Sequence, residues 1–503
     1  MSNLRGFTKR RSVISSVSLL AALYLLLSIP ASSPSLPQIE PSSMARPFAW
    51  NQDRRWDSLE ARFAAARGSG CGAAHHTLDT GLRSLEGLLT RIETERLAPT
   101  ARDFSGLEER FFSLAPLVGA CPERVPSYLA LSARIRSALK LQSERWDMND
   151  RTTRETLYRL LYGGRGAVEE VMLQVPRDQR LPALLRGTDE PSATPSATLL
   201  GVTIHSGDIL VSRGGAPTSA LIARGNDFPG NFSHIALAYV DSISGRLSMI
   251  ESHIERGVAV ASAGEYLRDT KLRVMVLRLR SDLPAMLLDP LLPHRSASAM
   301  LRRAVSQHIP YDFSMDYADT TRLFCSEAAS SAYRAFGVHL WMGMSHISSP
   351  GLRSWLADFG VSHFETQEPS DLEYDPQLRV VAEWRDAETL RKDHIDNAVT
   401  EVMLEGAERG DRLGYDWYLL PVARIVKAYC GLLNLFGAIG PIPEGMTATS
   451  ALKHKSYAAQ HDAAAAAVRM DAERFRRERG FEPPYWEMLR LARKALETSP
   501  LKE

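Results

Sequence analysis

The sequence lacks a charge surplus of either sign and is poor in cysteine. Its 503 residues include 60 basic and 59 acidic side chains, which leave a formal net charge of +1. Without a basic surplus, the composition gives no electrostatic support to nucleic-acid binding. Four cysteines are too few for a disulfide-rich scaffold, and their separations match no zinc-binding spacing. We therefore expect no nucleic-acid partner, no metal and no cofactor.

Long apolar runs are also missing, except for one near the N-terminus. The basic residues Lys9–Arg11 precede an apolar run from Val13 to Ile29, and small residues and prolines follow it. This order is typical of an export signal. The run is slightly long for a cleaved signal and slightly short for a full membrane span, so both interpretations stay open.

Either interpretation places the bulk of the chain outside the cytoplasm. We expect an exported protein, either periplasmic or anchored to the outer face of the inner membrane, whose N-terminal segment is the candidate membrane contact. In such an oxidising compartment Cys71 and Cys121 can pair, and the sequence alone leaves their pairing open.

Hydrophobic periodicity and composition divide the chain into five segments. Apolar residues at helical spacing, such as Leu78, Leu82 and Leu85, mark the second segment, and Ser, Thr and Pro mark the third. Short β-like stretches, then two helices from about Ser296 and Cys325, mark the fourth, and this combination predicts an α+β fold. We predict a signal or anchor with its linker at 1–43, a helical domain at 44–186, a linker at 187–198, an α+β domain at 199–385 and a C-terminal helical region at 386–503.

The C-terminal region contains a strongly apolar stretch from Tyr418 to Ile439, with Arg424 and Lys427 inside it. We expect this stretch to pack into the core of the C-terminal helical region. A helix lying on a membrane surface is the alternative.

Cys325 is the first candidate for covalent chemistry. It stands between a loop and a helical pattern that runs to Phe336. The positive end of a helix dipole favours the thiolate, which is the nucleophilic form of cysteine. A buried structural cysteine is the alternative interpretation.

Two predicted strands add a histidine and a carboxylate. If Ser242 pairs with Gly245 in the turn between them, His234 faces His253 and Ala236 faces Glu251. His234, Glu251 and His253 then share one face of the sheet. A carboxylate bound to one imidazole nitrogen leaves the other nitrogen to take the thiol proton. Glu251 is the predicted orienting residue, and His253 is its competitor.

Five short motifs in chain order resemble the YiiX-like permuted papain-like amidases of the NlpC-type cysteine peptidase superfamily. They are Gly207-Asp208, Ser233-His234, Ile250-Glu251-Ser252, Tyr311-Asp312-Phe313 and Phe324-Cys325-Ser326-Glu327. In this branch the histidine precedes the cysteine, as it does here, and the resemblance covers about residues 200–340.

The resemblance implies a small antiparallel sheet that carries the cysteine on a packed helix. It also implies Cys325 as nucleophile, His234 as base and Glu251 as orienting residue. The related lecithin:retinol acyltransferase-like branch uses a histidine as third member, which keeps His253 as an alternative.

We therefore expect an exported thiol hydrolase or acyltransferase that cleaves an amide or ester bond. Tyr311 and Asp312 are candidates for substrate binding, with ordinary loop capping as the alternative. A cell-wall peptide and a lipid acyl group both stay open as substrates. The alternative function is an inactive papain-like binding or scaffold protein of the cell envelope, whose helical regions contact partners.

Overall fold

The fold is an antiparallel sheet covered by helices, which confirms the predicted α+β class. The computed structural model describes residues 18, 21–32, 34, 36, 54–179, 181–341 and 343–498. The predicted export segment lies partly outside these residues, and its described part is helical over residues 21–27. Among the described residues, no helix combines the length and the apolar content that crossing a bilayer requires.

The strands are β1 (Leu184–Arg186), β2 (Ser196–Leu199), β3 (Val202–His205), β4 (Ile209–Gly214), β5 (His234–Val240), β6 (Leu247–His253), β7 (Gly257–Ser262), β8 (Lys271–Leu279), β9 (Ser345–His346), β10 (Glu365–Thr366) and β11 (Leu378–Arg385). Seven of them form the main sheet in the order β1-β11-β8-β4-β5-β6-β7. The other four form two small two-stranded sheets, β2-β3 and β9-β10.

The helices are α1 (Arg54–Thr94), α2 (Arg102–Ala120), α3 (Val125–Ser143), α4 (Arg151–Tyr158), α5 (Gly164–Gln174), α6 (Pro217–Arg224), α7 (Ala263–Arg268), α8 (Pro284–Leu288), α9 (Leu292–Ser306), α10 (Cys325–Arg334), α11 (Pro350–Phe359), α12 (Asp371–Tyr374), α13 (Ala387–Glu408), α14 (Leu420–Leu435), α15 (Ala448–Arg479) and α16 (Tyr485–Thr498).

The N-terminal helices pack through the apolar stripe that the sequence predicts. Leu78 and Leu85 are fully buried against α2, and a disulfide joins Cys71 to Cys121 at the end of that helix. The predicted helical domain, residues 44–186, differs from the structure at its C-terminal end. Residues Leu184–Arg186 form the strand β1 and pair with β11 instead of being helical. This short strand satisfies backbone groups along the edge of β11 that would otherwise be unpaired.

The central strands are buried on both faces, which explains their nearly continuous apolar sequences. On β5, Ile235 and Leu237 belong to the main hydrophobic core, whereas Ala236 and Ala238 belong to a second cluster on the opposite face. The predicted register between β5 and β6 is confirmed, since Ala236 pairs with Glu251.

The main hydrophobic core includes residues from Leu59 on α1 to Leu390 on α13, so the N-terminal helices and the sheet share one interior. Residues 187–198, predicted as a linker, are packed onto the sheet. The Gly187 and Thr188 N–H groups donate to the carbonyls of Val381 and Val380 at 2.8 and 2.9 Å.

Asp208 has the structural role that its position before β4 suggests. Its carboxylate accepts from the His205 N–H at 2.8 Å and forms a two-pronged ion pair with Arg278 of β8, with both N–O distances 2.8 Å. Both side chains are buried, so the pair fixes the entry of β4 into the sheet.

A second buried ion cluster joins four elements of the fold. Arg273 of β8 contacts Glu169 of α5 at 2.5 Å and Asp393 of α13 at 2.5 Å. Arg385 of β11 lies 3.2 Å from the same Glu169 carboxylate. Their charge and hydrogen bonds hold the pKa of Glu169 well below its usual range, although burial opposes this.

The first prediction concerns this cluster. Replacing Glu169→Gln leaves Arg273 and Arg385 buried without a full countercharge, and we expect the free energy of unfolding to fall by about 3–5 kcal/mol. Urea denaturation followed by circular dichroism measures the change. The matched control is Glu388→Gln, which breaks the ion pair of an exposed glutamate with Arg391 and is expected to cost at most about 1 kcal/mol. Equal losses in both variants would contradict the assigned role of the cluster.

Candidate active site

Glu251 holds two histidines at the end of the β5–β6 pair. One of its oxygens lies 2.8 Å from His234 Nε2, and the other lies 3.2 Å from His253 Nε2. The two imidazole centroids are 5.3 Å apart. The structure thus brings together the three side chains that the strand register predicts.

The electrostatics of this cluster favour a charged Glu251 carboxylate beside a neutral His234 ring. Burial opposes ionisation of Glu251, but the hydrogen bonds and charges of His234 and His253 outweigh it and hold the pKa of Glu251 well below its usual range. Burial lowers the pKa of His234, and the bond to Glu251 offsets part of this effect. His234 can therefore be neutral near pH 7, which is the state a general base needs.

His253 binds the second oxygen of Glu251, and among the described residues no hydrogen bond joins the two rings. Glu251 is therefore placed to orient His234, while His253 helps to fix Glu251. His234 uses Nε2 for this bond, which leaves Nδ1 as the nitrogen that can accept another proton.

Cys325 is the first residue of α10, as the sequence predicts. The Glu327 carboxylate accepts from the Phe324 N–H at 3.1 Å and caps the start of the helix. The Cys325 Sγ lies 3.9 Å from the carbonyl oxygen of Ser233, the residue before His234. The start of α10 and the start of β5 therefore meet at one point, although among the described residues no hydrogen bond links Cys325 directly to His234.

The resting charge of Cys325 differs from our expectation. The position at a helix N-terminus predicts a stabilised thiolate, whereas burial, together with the charge of Glu368, raises the pKa of Cys325 to about 12. Burial also raises the pKa of Glu368 well above its usual range, so Glu368 is protonated near neutral pH. Burial of the thiol is therefore the main cause of the raised pKa of Cys325. Desolvation of the thiolate outweighs the helix dipole here.

Cys325, His234 and His253 line one open cleft of about 610 Å³. Tyr311, a predicted substrate-binding residue, also lines it. Five charged side chains that the sequence analysis did not single out stand around it: Glu255, Arg256, Asp269, Lys271 and Lys392. Lys392 comes from α13, in the predicted C-terminal region, and no local signal links that helix to the cleft.

Asp312, the other predicted substrate-binding residue, does not line the cleft. Its buried carboxylate accepts from the Ser314 N–H at 2.9 Å, the Ser314 hydroxyl at 2.6 Å and the Asp316 N–H at 2.7 Å. These bonds occupy both oxygens in holding the loop before α10, so Asp312 acts as a loop cap.

Two groups of side chains have metal-binding donor types. The ligand atoms of His234, Glu251 and His253 lie within 4.8 Å of one another, and two imidazoles with a carboxylate suit a zinc-like ion. A metal there would compete with the hydrogen bond that orients His234. A second group includes Cys71, whose sulfur is already in the disulfide and is not available as a thiolate ligand. The expected absence of a metal stays a prediction.

Comparisons with known proteins give a weak and partial structural similarity. No family model matches the sequence, and no curated protein matches it. Among solved structures, the metalloprotein yiiX from Escherichia coli O157:H7 matches 35% of this chain and 95% of its own, with 17% sequence identity and a TM-score of 0.28. Membership of the permuted papain-like branch stays a prediction.

The second prediction tests the contact between Glu251 and His234. Replacing Glu251→Gln removes the negative charge that raises the pKa of His234, so this pKa should fall further below its usual value. An NMR titration of the imidazole ring protons measures the shift. The matched control is Glu255→Gln, which removes an exposed carboxylate from the rim of the same cleft and should leave the His234 titration nearly unchanged. An unshifted His234 in the Glu251 variant would contradict the assignment.

Proposed function

We propose that the protein is an exported thiol hydrolase of the permuted papain-like kind, with Cys325 as nucleophile, His234 as base and Glu251 as orienting residue. The observation that carries this proposal is the meeting of Cys325 and His234 in one cleft, with the Glu251 carboxylate 2.8 Å from His234 Nε2. Cysteine enzymes require this order of nucleophile, base and orienting group.

The reaction begins with a neutral thiol, because the pKa of Cys325 is about 12. His234 Nδ1 takes the thiol proton as Sγ bonds to the carbonyl carbon of the substrate. Backbone N–H groups at the start of α10 have no partner within the helix and can donate to the resulting oxyanion. The tetrahedral intermediate collapses, the bond to the leaving group breaks, and the His234 imidazolium protonates the departing amine or alcohol.

In deacylation, water is the nucleophile and the Cys325 sulfur is the leaving group. His234 removes a proton from water, the hydroxide attacks the acyl carbon, and the Cys325 sulfur leaves and recovers its proton from His234. Another acyl acceptor in place of water would make the same site an acyltransferase. Glu251 remains ionised throughout, and it stabilises each imidazolium that forms.

The lining of the cleft favours a peptide-like substrate over a lipid acyl chain. Charged side chains of both signs stand around the opening, and the aliphatic side chains among the lining residues are Ala216, Ile222 and Ile254. An acyl chain would leave these charges desolvated, whereas peptide amides and carboxylates can bind them. We infer an amide substrate from the cell envelope.

The disulfide between Cys71 and Cys121 supports the exported location, because such bonds persist in oxidising compartments. It agrees with the order of basic, apolar and small residues at the N-terminus. Periplasmic release and anchoring to the outer face of the inner membrane are both compatible with these two observations.

A second candidate function is an inactive binding or scaffold protein. The specific observation in its favour is the buried, protonated Cys325 without a hydrogen bond to His234. A structural cysteine has the same properties. The two candidates differ in whether His234 controls the reactivity of Cys325.

The third prediction separates them with a peptide that carries an electrophilic acyloxymethyl ketone at its C-terminus. We expect one adduct per chain, located on Cys325 by peptide mapping, and none in Cys325→Ala. In His234→Ala the labelling rate should fall by roughly 10²–10⁴, the usual contribution of a general base. The matched control is Cys430→Ala, which removes the other buried free cysteine and should label like the unaltered protein.

Unaltered labelling in Cys325→Ala would refute Cys325 as the nucleophile. A labelling rate of Cys325 that does not depend on His234, together with no hydrolysis of peptide amides, would favour the scaffold instead.

A further inference from the structure

One side of α14 and of the short 3-10 turn before it is an exposed apolar surface. Its members are each at least half exposed: Trp417, Tyr418, Val422, Ile425, Tyr429, Leu432, Leu435, Phe436 and Ile439. We call this set the α14 face. The steps of three and four residues from Val422 to Leu435 place its helical members along one stripe. An apolar stripe of this extent marks a surface that contacts something other than water.

The opposite side of α14 is packed, so the exposure of this face is not a sign of a loose helix. Ala423 and Cys430 are buried in a cluster with Ile442 and Met446. Lys427 Nζ donates to the carbonyls of Pro443 and Glu444, both at 2.6 Å. These contacts fix the rotation of the helix and hold the α14 face outward. The expected core packing of the stretch is thus found on one side only.

The apolar N-terminal segment lies directly beside the α14 face. The Tyr24 hydroxyl donates to the Tyr418 carbonyl at 3.2 Å, and Arg424 donates to the Leu26 carbonyl at 3.2 Å. The Ala31 N–H donates to Thr449 Oγ1 at 3.0 Å. Leu25, Leu26 and Ile29 are themselves exposed, so the segment extends the apolar surface rather than covering it.

We propose that the α14 face docks on a lipid bilayer. Continuity with the N-terminal segment, the predicted membrane contact of this chain, selects a bilayer over a second copy of the protein. Residues 417–443 contain no acidic side chain, so no carboxylate of this stretch repels an anionic lipid surface. The aromatic residues Trp417, Tyr418 and Tyr429 are of the type enriched at membrane interfaces.

The length of α14 sets how it meets the bilayer. Its 16 residues span about 24 Å, less than the roughly 30 Å of a hydrocarbon core. The helix therefore lies in the plane of the interface with its apolar stripe immersed, as amphipathic surface helices do.

This docking would also hold the cleft close to the membrane. The backbone of Gly445, after α14, lies so near the Phe313 ring that a Cβ would come within 2.5 Å of it. The Phe313 ring is 5.0 Å from Tyr311, which lines the cleft. A hydrogen bond of 2.7 Å between His308 Nε2 and the Glu444 carboxylate joins the same two segments. The position of the cleft loop is thus tied to that of α14.

The fourth prediction tests the docking in the full chain without using its catalytic chemistry. In a chain that carries Cys325→Ala and Cys430→Ala, a nitroxide label is placed at Leu432→Cys, so that it is the one free thiol. Power-saturation electron paramagnetic resonance then compares the collisions of the label with oxygen and with a water-soluble nickel chelate. On addition of vesicles of phosphatidylethanolamine and phosphatidylglycerol, we expect the label to become accessible to oxygen and protected from nickel. The matched control is a label at Ile243→Cys, an equally apolar and 96% exposed position in the β5–β6 turn, which should stay accessible to nickel.

A further variant separates α14 from the N-terminal segment. Adding Ile425→Glu to the Leu432→Cys chain should return the label to water while the chain still sediments with vesicles through its N-terminal segment. Circular dichroism should show unaltered folding, because Ile425 is exposed. The proposal is overturned if the label at 432 stays as accessible to nickel as the label at 243. It is also overturned if labels at 432 in two chains couple to each other without protection by lipid, which would identify a second copy as the occupant.

Discussion

The ion cluster around Arg273 is the constraint on which the rest of the structure depends. Arg273 stands on β8, near the middle of the sheet, and its guanidinium binds one carboxylate from α5 and one from α13. Buried charges are costly unless paired, so neither helix can shift without leaving a charge unpaired. This pairing brings Lys392, the neighbour of Asp393 on α13, to the same cleft that Lys271 of β8 lines. Buried ion pairs thus bring α13, which is distant in sequence from β8, to the cleft.

The strand register of the sheet positions the side chains of the cleft. The tight turn after β5 fixes the register with β6, and the register puts Glu251 between two histidines. Because strand side chains alternate, a slip of one residue would turn Glu251 toward the opposite face. Cys325 meets this group through the start of α10, which a glutamate cap and the Asp312-bound loop hold in place. The pair of Cys325 and His234 therefore depends on backbone positions more than on direct contact.

Features that depend on neighbours in sequence could be predicted, and those that depend on distant charges could not. The α+β class, the β5–β6 register and the start of α10 follow from local patterns of turns and periodicity. Lys392 and the Arg273 cluster join segments separated by more than a hundred residues, and no local pattern encodes such a contact. The raised pKa of Cys325 could not be predicted from the sequence either. The effect of the helix dipole can be inferred from the position of Cys325 at the start of a helix, whereas the depth of its burial cannot. Asp312 shows the same limit, since a loop cap and a binding residue share one sequence motif.

The polar cleft and the apolar α14 face suit different kinds of molecule. A lipid acyl chain needs an apolar tunnel, and the charged rim of the cleft around Cys325 does not supply one. The apolar surface lies instead on the outer side of α14, where it can enter a bilayer without passing through the cleft. Phe313 and Glu444 tie the two regions together, so a chain docked by α14 would present its cleft to molecules near the membrane surface. Such an arrangement suits the amide substrate that we propose, if that substrate is itself held near the membrane, because docking raises the local concentration of substrate without any lipid entering the cleft.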